Sequence, residues 1–513
     1  MPEIEFKLPD ARLEDYTWIL FDEHMPVSAS PLIGNHFGAG RPPSDEFPPR
    51  SIQIHGLTYM RQEMIPSPVA ATIGRELPSS VAAMRQWRAE WQPQVDEVVE
   101  ALTRFDPGSV APGAWEQTLD AQRDEYWRVF LGVHRNAVFP AHAVSTRFQD
   151  AYVARFGEER RADALALLQG IANASTERAA MMWDLSRIAR AHPEVAQALD
   201  KGEEIPQTPG GQIFAQQLEK LQERFGGSSE GFVEDRPNWR EDASLPLAAV
   251  RAYARLDDGR GPLDLERQHR ERREALEREL RDLARNDPDV EELLRLLPIA
   301  QEHLPNLEDH NYYTDQCLTA ASRARWLAIG RHLTAQGLLD AADDVFYLYR
   351  PELINVLEGR RTPDKALLVE RRAELDAVRS IAPPPVLGKP PAPSDAPLPE
   401  GLHTAELRIL RGVAASPGSY RGRARVIDSI EDAATLKEGD ILVCRATTPA
   451  WTPFFGIISA LVTNGGGALS HSAIVAREFG IPAVIGTLNG SATIRDGATV
   501  TVDGSQGIVL IED

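Results

Sequence analysis

Cysteine is scarce in this sequence: Cys317 and Cys444 are the only two in 513 residues, and they lie far apart. That excludes a disulfide framework and any Cys-x-x-Cys metal or redox pair, and it fits a reducing compartment. Lysine is nearly as rare, with six residues and none in a glycine-rich turn; no Gly-x-x-x-x-Gly-Lys-Ser/Thr loop occurs. A Walker-type nucleotide cradle is therefore not legible. No stretch approaches the roughly 20 apolar residues that span a bilayer. The first ten residues hold no basic segment leading into an apolar one. A soluble cytoplasmic protein that does not meet a membrane is the expectation. Positive charge is outnumbered, 55 Lys and Arg against 76 Asp and Glu, for a formal net charge of −21. Such a field repels a phosphate backbone, so nucleic acid is not an expected partner. No metal-ligand spacing stands out, and no bound metal is expected.

What is present divides the chain. Residues 381–400 read IAPPPVLGKPPAPSDAPLPE, too proline-dense for a helix interior and too poor in apolar residues for a core. The boundaries expected are 1–380, a linker at 381–403, and 404–513. The linker admits two readings, a static spacer or a mobile tether with about 3.1 Å of reach per residue when extended. Before it, apolar residues recur at three and four positions, as in 161–172, 265–284 and 316–336, which predicts a mostly α-helical region. The run ERQHRERRE at 266–274 alternates its signs and reads as a solvated helix face. After the linker come short β-rich pieces at 423–427, 441–444, 460–463, 483–485, 499–503 and 507–511, with one helix near His471. A multidomain chain is predicted, helical first and a compact β/β/α domain second.

The richest segment is 463–486, TNGGGALSHSAIVAREFGIPAVIG. An apolar strand runs into Gly465, Gly466 and Gly467, and an amphipathic helix follows from His471. Glycines let the backbone turn tightly and aim N–H groups at one spot, and the free amides of a helix start add partial positive charge. Such a place suits an anion, phosphate above all. A histidine there is placed to carry a phosphoryl group, and the dipole favours the neutral, nucleophilic ring. The residue pattern alone equally admits a packed or helix-capping histidine.

These letters resemble the phosphohistidine swivelling domain of the phosphoenolpyruvate-utilising enzymes, which include phosphoenolpyruvate synthase, pyruvate phosphate dikinase and rifampin phosphotransferase. The resemblance extends to GVAASPG at 412–418 and TTPAWTP at 447–453, and covers 404–513. It implies that His471 is the phosphorylated residue, on the ring nitrogen distal to the backbone. Gly465, Gly466, Gly467, Ser470, Thr448, Arg445 and Arg477 are candidate phosphate contacts, the arginines because guanidinium bridges phosphate oxygens. One departure is Leu469, where many members have a threonine.

A second resemblance, to the helical acceptor-substrate domain of rifampin phosphotransferase, rests on FDEHMPVSASPL at 21–32, NWRED at 238–242, EDHNYYTDQ at 308–316 and GLLDAADDVFYL at 337–348. It implies that an organic hydroxyl binds in 1–380. There Asp309 and His310 are candidates for an acid/base pair, with Tyr312 or Tyr313 lining the pocket and His24 a further candidate. For each, a surface pair or a helix cap is the bland alternative. Trp18 and Trp239 read as core.

Nothing in the sequence resembles the ATP-grasp region that charges the histidine in single-chain relatives. The layout resembles the large subunit of phenylphosphate synthase. By that analogy, a separate ATP-grasp polypeptide is expected to hold ATP and Mg2+, and the acceptor is a small hydroxylated, phenolic or alcoholic, molecule. The competing class is a non-catalytic regulatory or scaffold protein that keeps a phosphohistidine domain. GSSEG at 227–231 fits a hydrolase elbow by letters but lacks the strand-to-helix setting, and GNHFGAG at 34–40 lacks that of a dinucleotide site. Both read as loops.

Overall fold

The fold is taken from a computed structural model, which describes residues 4–20, 29–33, 49, 51–61, 77–229, 232–259, 261–379, 381, 383–384, 386–389, 408–427, 429–467 and 470–512. His24 and the glycine-rich stretch 34–40 lie outside these residues, as does most of the proline-rich segment.

Between residues 77 and 379 the chain is helical, and the helix ends carry their own signals. Asn173 and Thr176 form a capping box that opens the helix Ala174–Ala191. Thr208 caps Pro209–Phe225, where proline occupies the first turn and needs no N–H partner. The charged stretch at 266–274 lies in the helix Pro262–Ala284, of which only Pro262 and Leu280 are buried. Pairs such as Arg281 with Glu277, at 2.7 Å, run along its exposed face. The helix expected over 161–172 stops early, at Arg161–Ala166. The chain then turns through Gly170 at φ +67°, where a Cβ would stand 2.6 Å from the backbone nitrogen of Arg270. Close approach of the charged helix overrides helix preference there. Two segments are wound as π-helix, His134–Val138 and Asn311–Gln316.

The N-terminal region also holds a small sheet that the helical periodicity did not announce. Its strands are β1 (Thr17–Leu20), β2 (Ser51–Ile54), β3 (Leu57–Arg61) and β4 (Val386–Gly388), in the order β2-β3-β1-β4. Strand β4 comes from the proline-rich segment and pairs antiparallel with β1, Leu387 opposite Trp18. Tyr59 Oη donates to the Pro384 carbonyl at 3.0 Å. The first residues of the stretch read as a linker are thus tied to the N-terminal sheet, since a strand with few core contacts still satisfies its backbone at a sheet edge.

The C-terminal region is an eight-stranded sheet: β5 (Arg408–Arg411), β6 (Val413–Ser416), β7 (Ser419–Val426), β8 (Asp440–Cys444), β9 (Ala460–Thr463), β10 (Ala483–Ile485), β11 (Thr499–Asp503) and β12 (Ile508–Glu512). Its order is β5-β12-β11-β7-β8-β9-β10-β6, parallel from β7 through β10 and antiparallel outside.

Alternation along the central strands sends side chains to two different cores. Ile441, Val443, Ala460, Val462 and Val484 join Val500, Val502 and Val509 in a core private to this region. Leu442, Cys444, Leu461, Ala483 and Ile485 face the other way, into a cluster that continues through Trp451, Phe454 and Phe455 to Met182, Phe225, Trp239 and Tyr253 of the helical region. The helix His471–Glu478 lies at this junction, and its Ile474 reaches a second helical core with Leu307 and Leu318. Composition changes at the proline-rich segment, but the apolar core is continuous across it.

Candidate active site

His471 begins its helix because Ser470, in extended conformation, caps it: the Ser470 hydroxyl accepts from the Ala473 N–H at 3.4 Å. The turn before it is closed by Ser470 N–H donating to the Gly467 carbonyl at 2.9 Å. Gly466 sits at φ +109°, a conformation only glycine adopts without strain, and its side faces Ser470. At Gly467 a Cβ would meet no atom of the described residues within 4 Å. The Thr447 and Ser472 hydroxyls, 2.7 Å apart, tie the 445–448 loop to the first turn of the helix.

The ring is held from the other side by the helical region. His471 Nδ1 lies 3.2 and 3.1 Å from the two Glu308 carboxylate oxygens. A carboxylate only accepts, so Nδ1 carries the proton and Nε2 presents its lone pair. Ser175 Oγ donates to Glu308 at 2.6 Å and fixes the carboxylate in turn. Around Nε2 stands Thr452, its Oγ1 3.4 Å away. Beyond it is Arg178, whose Nη2 lies 3.4 Å from the same Thr452 oxygen and 2.7 Å from the Pro449 carbonyl. Its Nη1 donates to Ser228 Oγ at 3.1 Å and to Gln316 Oε1 at 3.4 Å. Arg178 is fully buried, with Trp239 and Phe225 under its guanidinium. Burial lowers it to about 10, partly offset by Glu308, and it stays a cation at neutral pH. The side chains of His471 and Glu308 are 9% and 2% exposed, so this pair is shut from water.

The other sequence candidates divide. Arg477, half-buried and nearly two helical turns on, donates to the Ala415 carbonyl at 2.8 Å, and desolvation of its guanidinium lowers its pKa to about 10. Arg445 and Thr448 are in the loop that faces this helix; Thr448 is completely buried, and its hydroxyl has no hydrogen-bond partner among the described residues. Gly465 donates to the Arg445 carbonyl at 2.9 Å and bridges the two loops. Asp309 and His310 are not brought together as a pair. Asp309 accepts from Arg88 at 2.5 Å and from the Ala174 N–H at 2.8 Å, while burial raises its carboxyl. His310 turns to the Asn306 carbonyl at 2.8 Å. Tyr312 packs on Phe225 and donates to the Arg224 carbonyl, and Tyr313 bonds Arg224. Adjacent positions on a helix point about 100° apart, which is why Glu308 and not its neighbours reaches His471.

Glu308, Arg178 and Thr452 were not singled out in the sequence. Glu308 and Thr452 do lie inside stretches that carried a resemblance, which was the available signal. Arg178 lies among alanines and methionines in a helix, and only tertiary structure separates a buried arginine there from a solvated one.

Residues 436–507 match the PEP-utilising enzyme mobile domain, and 135–306 match the rifampicin phosphotransferase fourth domain. This chain joins those two domains. It is 33% identical over 500 residues to the chondramide synthase cmdD of Chondromyces crocatus, covering 88% of this chain and 12% of that protein. It is 29% identical over 403 residues to the uncharacterized phosphotransferase YvkC of Bacillus subtilis (strain 168), covering 74% and 47%. With a rifampicin phosphotransferase of Streptomyces sp it shares 32% identity over 375 residues, covering 69% and 41%. The chain therefore spans less than half the length of each of these relatives. The expected architecture, a mostly helical region followed by a sheet domain of the PEP-utilising type, is the one observed. No helix among the described residues is long and apolar enough to cross a membrane.

Proposed function

We propose that this chain is the acceptor-binding and phosphoryl-carrying part of a phosphotransferase, in which His471 Nε2 takes a phosphoryl group and passes it to a small organic hydroxyl. The observation that carries the reading is the clamp on the ring: Glu308 on Nδ1 at 3.1 Å leaves Nε2 as the basic nitrogen. Attack by Nε2 on the donor's phosphorus forms the P–N bond as the P–O bond to the rest of the nucleotide breaks, its electron pair leaving with that oxygen, and the positive charge left on the ring is offset by Glu308. When the acceptor oxygen attacks phosphorus the P–N bond breaks, its electron pair returns to Nε2, and the acceptor's proton is released. Arg178, one hydroxyl away from Nε2, is placed to meet the charge of the transferring group.

Phenols are the first acceptors to test. A phenolic oxygen ionises near pH 10 and asks less of a base than an alcohol does. Activation of ATP, with its Mg2+, is assigned to a separate ATP-grasp polypeptide, consistent with the lack of a legible nucleotide cradle in this sequence. The test is to incubate the chain with a candidate ATP-grasp partner and labelled ATP. An acid-labile, base-stable label is expected, absent from His471→Ala and chased by a phenol. Equal labelling of His471→Ala would overturn the reading.

A further inference from the structure

The two π-helical segments meet in the interior of the helical region, and three side chains converge from them and the helical turn between. One ligating atom each of His134, His310 and Asp315 lies within 4.8 Å of the other two, and all three residues are buried. The imidazole rings stand nearly perpendicular, centroids 5.0 Å apart. Each is oriented in the same manner, Nδ1 lying 2.8 Å from the carbonyl one turn back, Phe130 for His134 and Asn306 for His310. A carbonyl accepts only, so Nδ1 carries the proton in both rings and Nε2 is the basic nitrogen. The two Nε2 atoms face Asp315 Oδ2 from 3.6 and 3.9 Å.

Asp315 is 1% exposed, and neither of its oxygens has a hydrogen-bond partner among the described residues. A buried carboxylate without a donor is costly, and two lone-pair nitrogens facing it supply none. A cation between them would give the Asp315 carboxylate the positive partner it lacks among the described residues. In a tetrahedral site with bonds of about 2.0–2.1 Å, neighbouring ligand atoms stand roughly 3.3–3.4 Å apart, a few tenths closer than these separations. The backbone carbonyls on Nδ1 are what metal-bound histidines ordinarily use to hold their orientation. The π winding matters too: an extra residue in the turn places His310 and Asp315, five apart in sequence, on the same side.

We propose that His134 Nε2, His310 Nε2 and the Asp315 carboxylate bind one divalent transition-metal ion of the zinc class, as a structural crosslink between the two π turns. The crosslink supports the active site at second hand. His310 is two residues from Glu308, and Gln316, next to Asp315, accepts from Arg178.

The full chain, expressed with zinc in the medium and purified without chelators or metal-affinity resin, should carry about one equivalent of metal by mass spectrometry. Chelator should lower its melting temperature and Zn2+ restore it, and Co2+ added to the stripped chain should give the visible bands of a tetrahedral N/O site. His134→Ala and the isosteric Asp315→Asn should lose the metal, and His471→Ala should keep it. The stripped and reloaded wild-type chain carries the test alone if those variants do not fold. A wild-type chain that takes up no Zn2+ and shows no melting shift would overturn the proposal. So would an Asp315→Asn chain that binds Zn2+ as tightly as the wild type.

Discussion

The two regions of the molecule are built to different rules. The C-terminal sheet has one face closed on itself, with Ile441, Val443, Val462 and Val502 in a core made from that region alone. Its other face, through Leu442, Leu461 and the segment Pro449–Gly456, is completed by Met182, Phe225 and Tyr253 of the helical region. The helical region supplies the buried charges that meet His471, Arg178 and Glu308, with Ser175 holding the Glu308 carboxylate. The His471 ring therefore belongs to one region and the carboxylate that orients it to the other. If His471 carries phosphoryl from a separate nucleotide site, as proposed, that pair has to part, and with it the apolar surface that docks the two regions.

The largest expected effect tests whether the shared core is as strong as its composition implies. Phe455 is completely buried in it, and Phe455→Ala should destabilise the chain by about 3–5 kcal/mol, the range for removing a core aromatic. Hydrogen exchange should quicken in the helices Ala174–Ala191 and Ser244–Tyr253 as well as in the sheet. By contrast Val443→Ala, in the private core, should loosen the sheet alone. If the Phe455→Ala effect stayed within residues 408–512, the two regions would be energetically separate after all.

Next in size is the chemical side of the same contact. Glu308→Gln keeps the shape but weakens the hold on the Nδ1 proton and the offset of ring charge. Transfer from phosphorylated His471 to acceptor should slow about 100-fold, a usual magnitude for a positioned acid/base or orienting group. On the proposed relay, labelling of His471 by a candidate ATP-grasp partner should change only a few-fold, because charging at a separate site takes the histidine away from Glu308. Single-turnover chase of pre-labelled chain separates the two steps. Equal losses in both would mean that Glu308 accompanies His471 through the whole cycle.

Much of this was legible in the sequence where local rules suffice. The strands at 460–463, 483–485 and 499–503 appear with the bounds their apolar runs suggest. His471 is at the helix start that the glycine turn and Ser470 mark. What stayed hidden depends on contacts distant in sequence. Strand β4 exists because β1 offers an edge more than 360 residues away. Asp309 and His310 drew attention as a titratable pair, yet their neighbour Glu308 makes the contact. Helix phase against a partner 163 residues on is not written in any local pattern. The metal-like cluster was equally unreadable, because π winding sets its spacing and no linear motif encodes that.

The smallest expected effect concerns the far end of the same helix. Glu478 is buried against the helical region, where the Gly170 N–H donates to it and Gln169 donates to the Arg477 carbonyl at 2.5 Å. Burial pushes its carboxyl up from 4.5 to about 8, against the pull of Gly170 and Arg477. The folded chain therefore holds a proton that the unfolded chain releases near pH 4.5. The stability this confers is fully present below about 4.5 and is lost as pH rises through about 8. Between pH 7 and pH 8 the loss should come to about 1 kcal/mol, seen as a falling melting temperature. Glu478→Gln keeps a neutral side chain at every pH, so its melting temperature should match the wild type below about pH 4.5 and exceed it by a growing margin as pH rises to about 8. Arg477, at about 10, titrates too high to produce this slope. If Glu478→Gln kept the wild-type slope, the proton would belong to another group and the junction would owe nothing to a neutral Glu478. If the slope vanished, the docking of the two regions would be weakest on the alkaline side, and His471 would leave Glu308 more readily there.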